Sequence, residues 1–269
     1  MTALATTRQA GSHLPMSTLL VAKRALLTFM RTPQLVVLST VQMAGFLVAF
    51  RYVFGGAIGT SQGLPYVDFA VPGFIAAGVL FSTLGTAIAM ADDLQSGLID
   101  RLRSLPMPRS SVLIGRVLAD VIVLTWSLGV TTAVGFAIGF RLHGTVAQGI
   151  AAFGVCLLFG LAFSWVFIAA GLLAGNAQAA NGVSLIVFVL TFVSNAYVPS
   201  SSMPSWIRGF ADNQPVTLMA DTVRALTVGD RAQALLGHDA SYFMIRSLIW
   251  TAALMVGFGA LAVAIYRRR

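Results

Sequence analysis

The sequence predicts an all-α polytopic membrane protein with six transmembrane helices, an N-terminal interfacial amphipathic helix, and short or re-entrant helices in the last outer loop. Three observations carry that expectation. Only 10% of the 269 residues are charged, against about a quarter in soluble domains, and the mean hydropathy is +0.85. Uncharged apolar stretches long enough to cross a bilayer recur along the chain. Basic residues gather at the edges of those stretches, where they orient helices and meet anionic head groups. Because the net charge of +8 is spread in this way, it does not describe a nucleic-acid face.

Taken in order, residues 1–15 read as a flexible tail, since MTALATTRQAGSHLPM lacks the continuous apolar core of a signal peptide. Residues 16–32 form the interfacial helix. At 100° per residue, Ser17, Arg24, Thr28 and Arg31 share one face, while Leu19, Ala22, Leu26, Phe29 and Met30 share the other. Lys23, Arg24 and Arg31 are its head-group contacts, and Pro33 ends it. Residues 33–269 form the membrane domain, with spans at about 33–54, 70–91, 112–140, 147–174, 182–198 and 247–266. The fourth and fifth come from dividing the charge-free run Leu142–Ile207 at its polar break, GNAQAAN.

Six spans place both termini on one side. Eleven of the seventeen basic residues fall on that side, including Arg101, Arg103, Arg109, Arg116 and the Arg267–Arg269 terminus. Both termini are therefore expected in the cytoplasm. On the opposite side, the loop from about Pro199 to Arg246 is punctuated by Pro199, Pro204 and Pro215, with Trp206 and Phe210 as head-group anchors. Its early part is apolar enough to re-enter the membrane, which backbone tolerates only inside protein or a wet cavity.

Between the second and third spans lies DDLQSGLIDRLRSLPMPRSS, carrying three of the nine acidic residues and three of the basic ones. Asp92 is placed to cap a helix, with Gln95 completing a variant capping box. Leu94, Leu98, Leu102 and Leu105 recur on one face, Asp93, Asp100, Arg101 and Arg103 occupy the others, and Pro106 ends the helix. Gly97 weakens it by about 1 kcal/mol. Such a helix either is a solvated loop that fixes topology or docks in a partner's groove.

No catalytic set is expected. His13, His143 and His238 are far apart, without metal-ligand spacing, and Cys156 is the single cysteine. Ser200–Ser202 with His238 and Asp239 lack a nucleophile elbow. Asp120 has Arg116 one turn earlier, so an ion pair at the start of the third span accounts for it, with proton coupling as the other reading. Arg51 can snorkel to head groups, pair with Asp68 or meet an acidic substrate group.

The segment from Asp92 to Asp120 resembles the cytoplasmic segment of ABC-2-type exporter permeases in its order of Asp93, Gly97, Arg101, Arg103, Leu105, Pro106, Arg109, Gly115, Arg116 and Asp120. The outer segment is similar to the same family's, through Val198, Pro199, Met203, Pro204, Trp206, Asn213, Pro215, Val216, Thr217 and Arg224. The subgroup most like it is the daunorubicin-resistance-type permeases of actinobacteria. One departure is that the family's usual Glu before the Gly-Leu pair is absent, since this chain has no Glu.

The resemblance implies the permease subunit of an ATP-driven exporter in the bacterial plasma membrane, moving a lipid, glycolipid or drug-like compound. Residues 92–106 would contact a separate ATPase carrying ATP and Mg, and a second permease subunit, identical or different, would complete the path. The chain holds no P-loop, because its single lysine, Lys23, lies outside any GxxxxGK[ST] pattern. The alternatives are a polytopic enzyme acting on lipid and a non-transporting scaffold coupled to an ATPase.

Overall fold

The computed structural model describes residues 14–31, 33–53, 65–104 and 110–268, together with Gly55 and Pro108. These residues are helical with short connections. The order is α1 (Leu14–Arg31), α2 (Pro33–Val53), α3 (Tyr66–Gln95), α4 (Leu98–Arg103), α5 (Ser110–Ala137), α6 (Val146–Ala174), α7 (Ala177–Asn181), α8 (Val183–Phe192), a 3-10 turn (Ser200–Ser202), α9 (Ser205–Asn213), α10 (Pro215–Val228), α11 (Asp230–Leu236) and α12 (Ala240–Arg268). Four of them, α3, α5, α6 and α12, are long and apolar enough to cross a membrane. The tail expected at 1–15 lies outside the described residues, apart from Leu14 and Pro15, which open α1.

At the centre α3 packs on α6, with α5 against both and α12 on the far side of α6. In their most apolar windows α3 and α6 are 67% buried and α12 only 11%, which makes α12 the least buried of the four. The core runs through Phe69, Phe74, Phe159, Phe163 and Phe167. A capping box starts α6: the Thr145 hydroxyl accepts from Gln148 N at 3.2 Å, and Gln148 Oε1 accepts from Thr145 N at 2.7 Å. At its other end Gly175 takes the left-handed conformation. Asn176 then caps α7, its side chain accepting from Ala179 N at 2.8 Å, so the polar break in the sequence is a break in the helix.

Three expectations are corrected. Residues 92–95 do not start a helix; they are the last turn of α3, and Ser96 N donates back to Asp92 O at 2.9 Å. Gly97 does not weaken a continuous helix either. Its φ of 68° makes the corner between α3 and the six-residue α4, a conformation that costs other residues about 1–2 kcal/mol. Leu105 and Pro106 lie outside the described residues, as does the Arg103 side chain.

The second correction concerns the fifth span, which stops at Phe192 rather than near 198. Beyond it the carbonyls of Asn195 and Ala196 accept hydrogen bonds from the Arg224 side chain, not from a following turn of helix.

Third, Ser17, read on the same face of α1 as Arg24, is buried, while Leu19 and Met30 of the apolar face remain open to the surroundings. Ser17, Thr18, Val21 and Ala22 form the buried strip. The reason is Gly115 on α5. A Cβ there would come 2.7 Å from Val21 Cβ and 2.8 Å from Thr18 O, so the small side of α1 seats directly on the α5 backbone.

Candidate functional site

Helices α1, α2, α3, α5 and α8 surround a cavity of about 920 Å³. Its walls are apolar and aromatic, including Phe29, Phe81, Leu84 and Phe188, and one rim carries Asp92 and Asp93 from the end of α3. Polar groups also line it, among them Arg24, Gln42, Asp92, Asp93, Arg116, Asp120 and Asn181, and several are paired. Ser82 Oγ donates to Ser127 Oγ at 2.8 Å. Asp120 is 8% exposed; its Oδ2 accepts from Thr86 Oγ1 at 2.7 Å and its Oδ1 lies 3.2 Å from Arg116 Nε. Asp120 is buried within an apolar helix, where an unpaired carboxylate is strongly disfavoured. The ion pair lies within α5, and the Thr86 hydroxyl ties it to α3 where both line the cavity.

The rim is tied to α1 by an ion pair between Arg24 Nη2 and Asp93 Oδ1 at 3.1 Å. Of the leucine face read in the sequence, Leu94 and Leu102 pack on the protein's own interior, while Leu105 lies outside the described residues. Ile99 is fully buried among Met90, Leu113, Ile168, Leu172 and Tyr266, with Leu94 and Leu102 packed on the same cluster. Asp92, Gln95, Asp100 and Arg101 are exposed. The apolar face of this segment is thus spent against its own chain, leaving a charged outer edge.

On the other end of the molecule, α10 inserts between α3, α6 and α12, with all fourteen residues buried. Pro215 occupies its first turn, and the Gln214 side chain accepts from Val216 N at 3.2 Å. Arg224 is 0% exposed and every donor on its guanidinium is used. Nε donates to Phe69 O at 2.9 Å; Nη1 donates to Asp221 Oδ1 at 2.8 Å and to Asn195 Oδ1; Nη2 donates to Asn195 O at 2.7 Å and Ala196 O at 3.1 Å. Its Cζ also lies 3.8 Å from the Phe69 ring centroid. Asn195 Nδ2 donates to both Asp221 oxygens at 3.0 Å.

This cluster was missed as a unit in the sequence, where Arg224 reads as one more loop cation; the Asp221/Arg224 spacing of one helical turn was the available signal. Pro199 and Pro204 precede the 3-10 turn and α9, and Arg208 clamps the bend by donating to the carbonyls of Ser200, Ser201 and Met203. Asn213 Nδ2 donates to Gly209 O at 2.9 Å, and Trp206 is 80% exposed. Asp68 faces His143, Arg141 and Arg231.

Chemically, this is a largely apolar chamber with one buried ion pair and a charged edge, and α10 is locked in place at the opposite end. The ABC-2 type transporter family model matches residues 16–228. The chain belongs to the ABC-2 type transporter family. Similar curated proteins are transporter permeases. A daunorubicin resistance ABC transporter permease of Streptomyces coeruleorubidus is 30% identical over 91% of this chain and 84% of its own length. A probable doxorubicin resistance ABC transporter permease of Mycobacterium tuberculosis is 29% identical over 68% of this chain and 63% of its own. A probable multidrug ABC transporter permease of Escherichia coli is 24% identical over 77% and 54%. As a member of this family the chain is a membrane-embedded ABC-2 permease.

Proposed function

We propose that this chain is the permease subunit of an ATP-driven exporter in a bacterial plasma membrane, with a hydrophobic or amphiphilic, drug-like or lipid-like molecule as cargo. The observation that carries the reading is the 920 Å³ cavity, whose aromatic and aliphatic walls suit such a molecule and whose buried carboxylate, Asp120, is paired with Arg116. The names of the similar permeases, which concern daunorubicin, doxorubicin and multiple drugs, support drug-like cargo.

In this reading α2 and the α7–α8 pair complete six spans. The pair covers residues 177–192, about 24 Å at 1.5 Å per residue, short of a bilayer's roughly 30 Å. The outer helices α9 and α10 cover the remaining depth as a re-entrant segment, with Trp206 and Phe210 at the head groups. Both termini face the cytoplasm, α1 lies at the interface through Lys23, Arg24 and Arg31, and a second permease subunit closes the open side of the cavity. A separate ATPase, binding ATP and Mg, docks on residues 92–106 through their charged edge. Its closure pulls on α4, and the Arg24–Asp93 pair passes that movement to α1.

The test is uptake of a fluorescent amphiphile into inside-out vesicles containing the chain and its ATPase. ATP-dependent uptake, lost when Arg101→Glu and Arg103→Glu are combined at unchanged membrane expression, is the expected result. Uptake unaffected by that pair of changes would refute the docking assignment, and no ATP-dependent uptake of any amphiphile tried would refute the export assignment.

A further inference from the structure

A second concavity lies outside the transport cavity, on the outer surface where α12 meets α6. It is a groove of about 560 Å³ walled by Trp165 of α6 and by Met255, Val256, Gly259, Val263 and Arg267 of α12. Four features define what fits it. The groove belongs to the least buried of the long apolar helices, and Val256 on its surface is 70% exposed. It is a groove because Gly259 has no side chain: a Cβ there would stand in ordinary contact with the indole of Trp165, at 3.7 Å. Its length matches one leaflet, since the rise from Met255 to Arg267 is about 18 Å and half the hydrocarbon core is about 15 Å. Finally, a cation stands at only one end. Val256, Val263 and Arg267 share a helical face, so the guanidinium closes the groove at the level where a head group sits. No ion pair is recorded for Arg267 among the described residues.

We propose that this groove seats one anionic phospholipid from the leaflet on the side of the α12 C-terminus, with an acyl chain along Gly259 against Trp165 and the phosphate on Arg267. A bilayer lipid is the occupant that the groove's length, apolar walls and terminal charge select together. The site is separate from the cavity, and the assignment does not depend on what the permease carries or on which side its termini face.

Tryptophan quenching tests it directly. The full-length chain, with Trp126, Trp206 and Trp250 changed to Phe so that only Trp165 remains, is reconstituted in phosphatidylcholine vesicles. Brominated phosphatidylglycerol or brominated phosphatidylcholine is then titrated in, and circular dichroism checks that the helices are intact. Half-maximal quenching by the anionic lipid is expected at about one-fifth the mole fraction needed by the zwitterionic one, the preference that one arginine confers at a membrane surface. Arg267→Glu should abolish the preference while Trp165 remains quenched, and Arg268→Glu should leave it largely intact. A chain retaining only Trp250 should show no comparable preference. Equal quenching of Trp165 by both lipids, an equal loss of preference in the two arginine variants, or Trp165 shielded from both lipids by a second copy would overturn the proposal.

Discussion

Arg24 on α1 and Asp93 in the last turn of α3 are 69 residues apart and form an ion pair at 3.1 Å. The pair joins the first helix to the corner at Gly97, from which α4 departs. Both side chains are partly exposed, so the pair adds little to stability, on the order of 0–1 kcal/mol. Its value is geometric, because it links α1 to the α3–α4 corner.

Reversing one member of this pair should therefore impair transport without melting the protein. We expect Arg24→Asp and Asp93→Arg each to lower ATP-dependent uptake several-fold, with thermal unfolding in detergent nearly unchanged. The double exchange should recover much of the loss. If the double exchange behaves as the sum of the two singles, the pair is not the connection.

Gly115 should tolerate no larger residue. Gly115→Val pushes into Val21 Cβ and the Thr18 carbonyl, and backbone on one side leaves little room to yield. Detachment of α1 is the expected outcome, read as rapid labelling of a cysteine placed at Val21 that is protected in the parent. Continued protection would show that α1 does not depend on this contact.

Arg224→Met removes the donor to five acceptor contacts and leaves Asp221 buried without its cation. Breaking a buried pair in this way costs about 3–5 kcal/mol. A large drop in unfolding temperature is expected, with easier proteolysis near α9. Adding Asp221→Leu, which removes the stranded charge, should restore part of the stability.

Asp120→Asn keeps the shape of the side chain and an acceptor for Thr86 while removing the anion beside Arg116. A loss of about 1–3 kcal/mol is expected, since the guanidinium is only partly buried. Combining it with Arg116→Gln should cost less than the two changes added together, as measured by thermal unfolding.

Much of the helical plan is legible in composition and spacing, because a span must be long and apolar and its ends must be polar. The break at Gly175–Asn176 is a clear case: one residue supplies the left-handed turn and the next caps the new helix. Other features depend on partners far away in the chain. The buried side of α1 is chosen by Gly115 on another helix, and no periodicity within α1 reveals that. Beyond the end of α8, the carbonyls of Asn195 and Ala196 are taken by Arg224, 28 to 29 residues away. In the 92–106 segment the leucine spacing was visible, but whether that face meets a partner or its own chain is decided by packing with α5, α6 and α12. The charged residues were visible too; the corner at Gly97 that presents them was not.

The central claim is that residues 92–106 hold an ATPase. The most direct measurement is gentle-detergent purification of the tagged chain from its native membrane, with mass spectrometry of the proteins that accompany it. Recovery of an ATPase bearing a Walker A motif is predicted. It should be lost when residues 92–106 are scrambled and kept when α9, at the opposite end, is scrambled instead. Recovery of the chain with no ATPase, under conditions that preserve a known ABC complex, or an ATPase retained after the first scramble, would contradict the account.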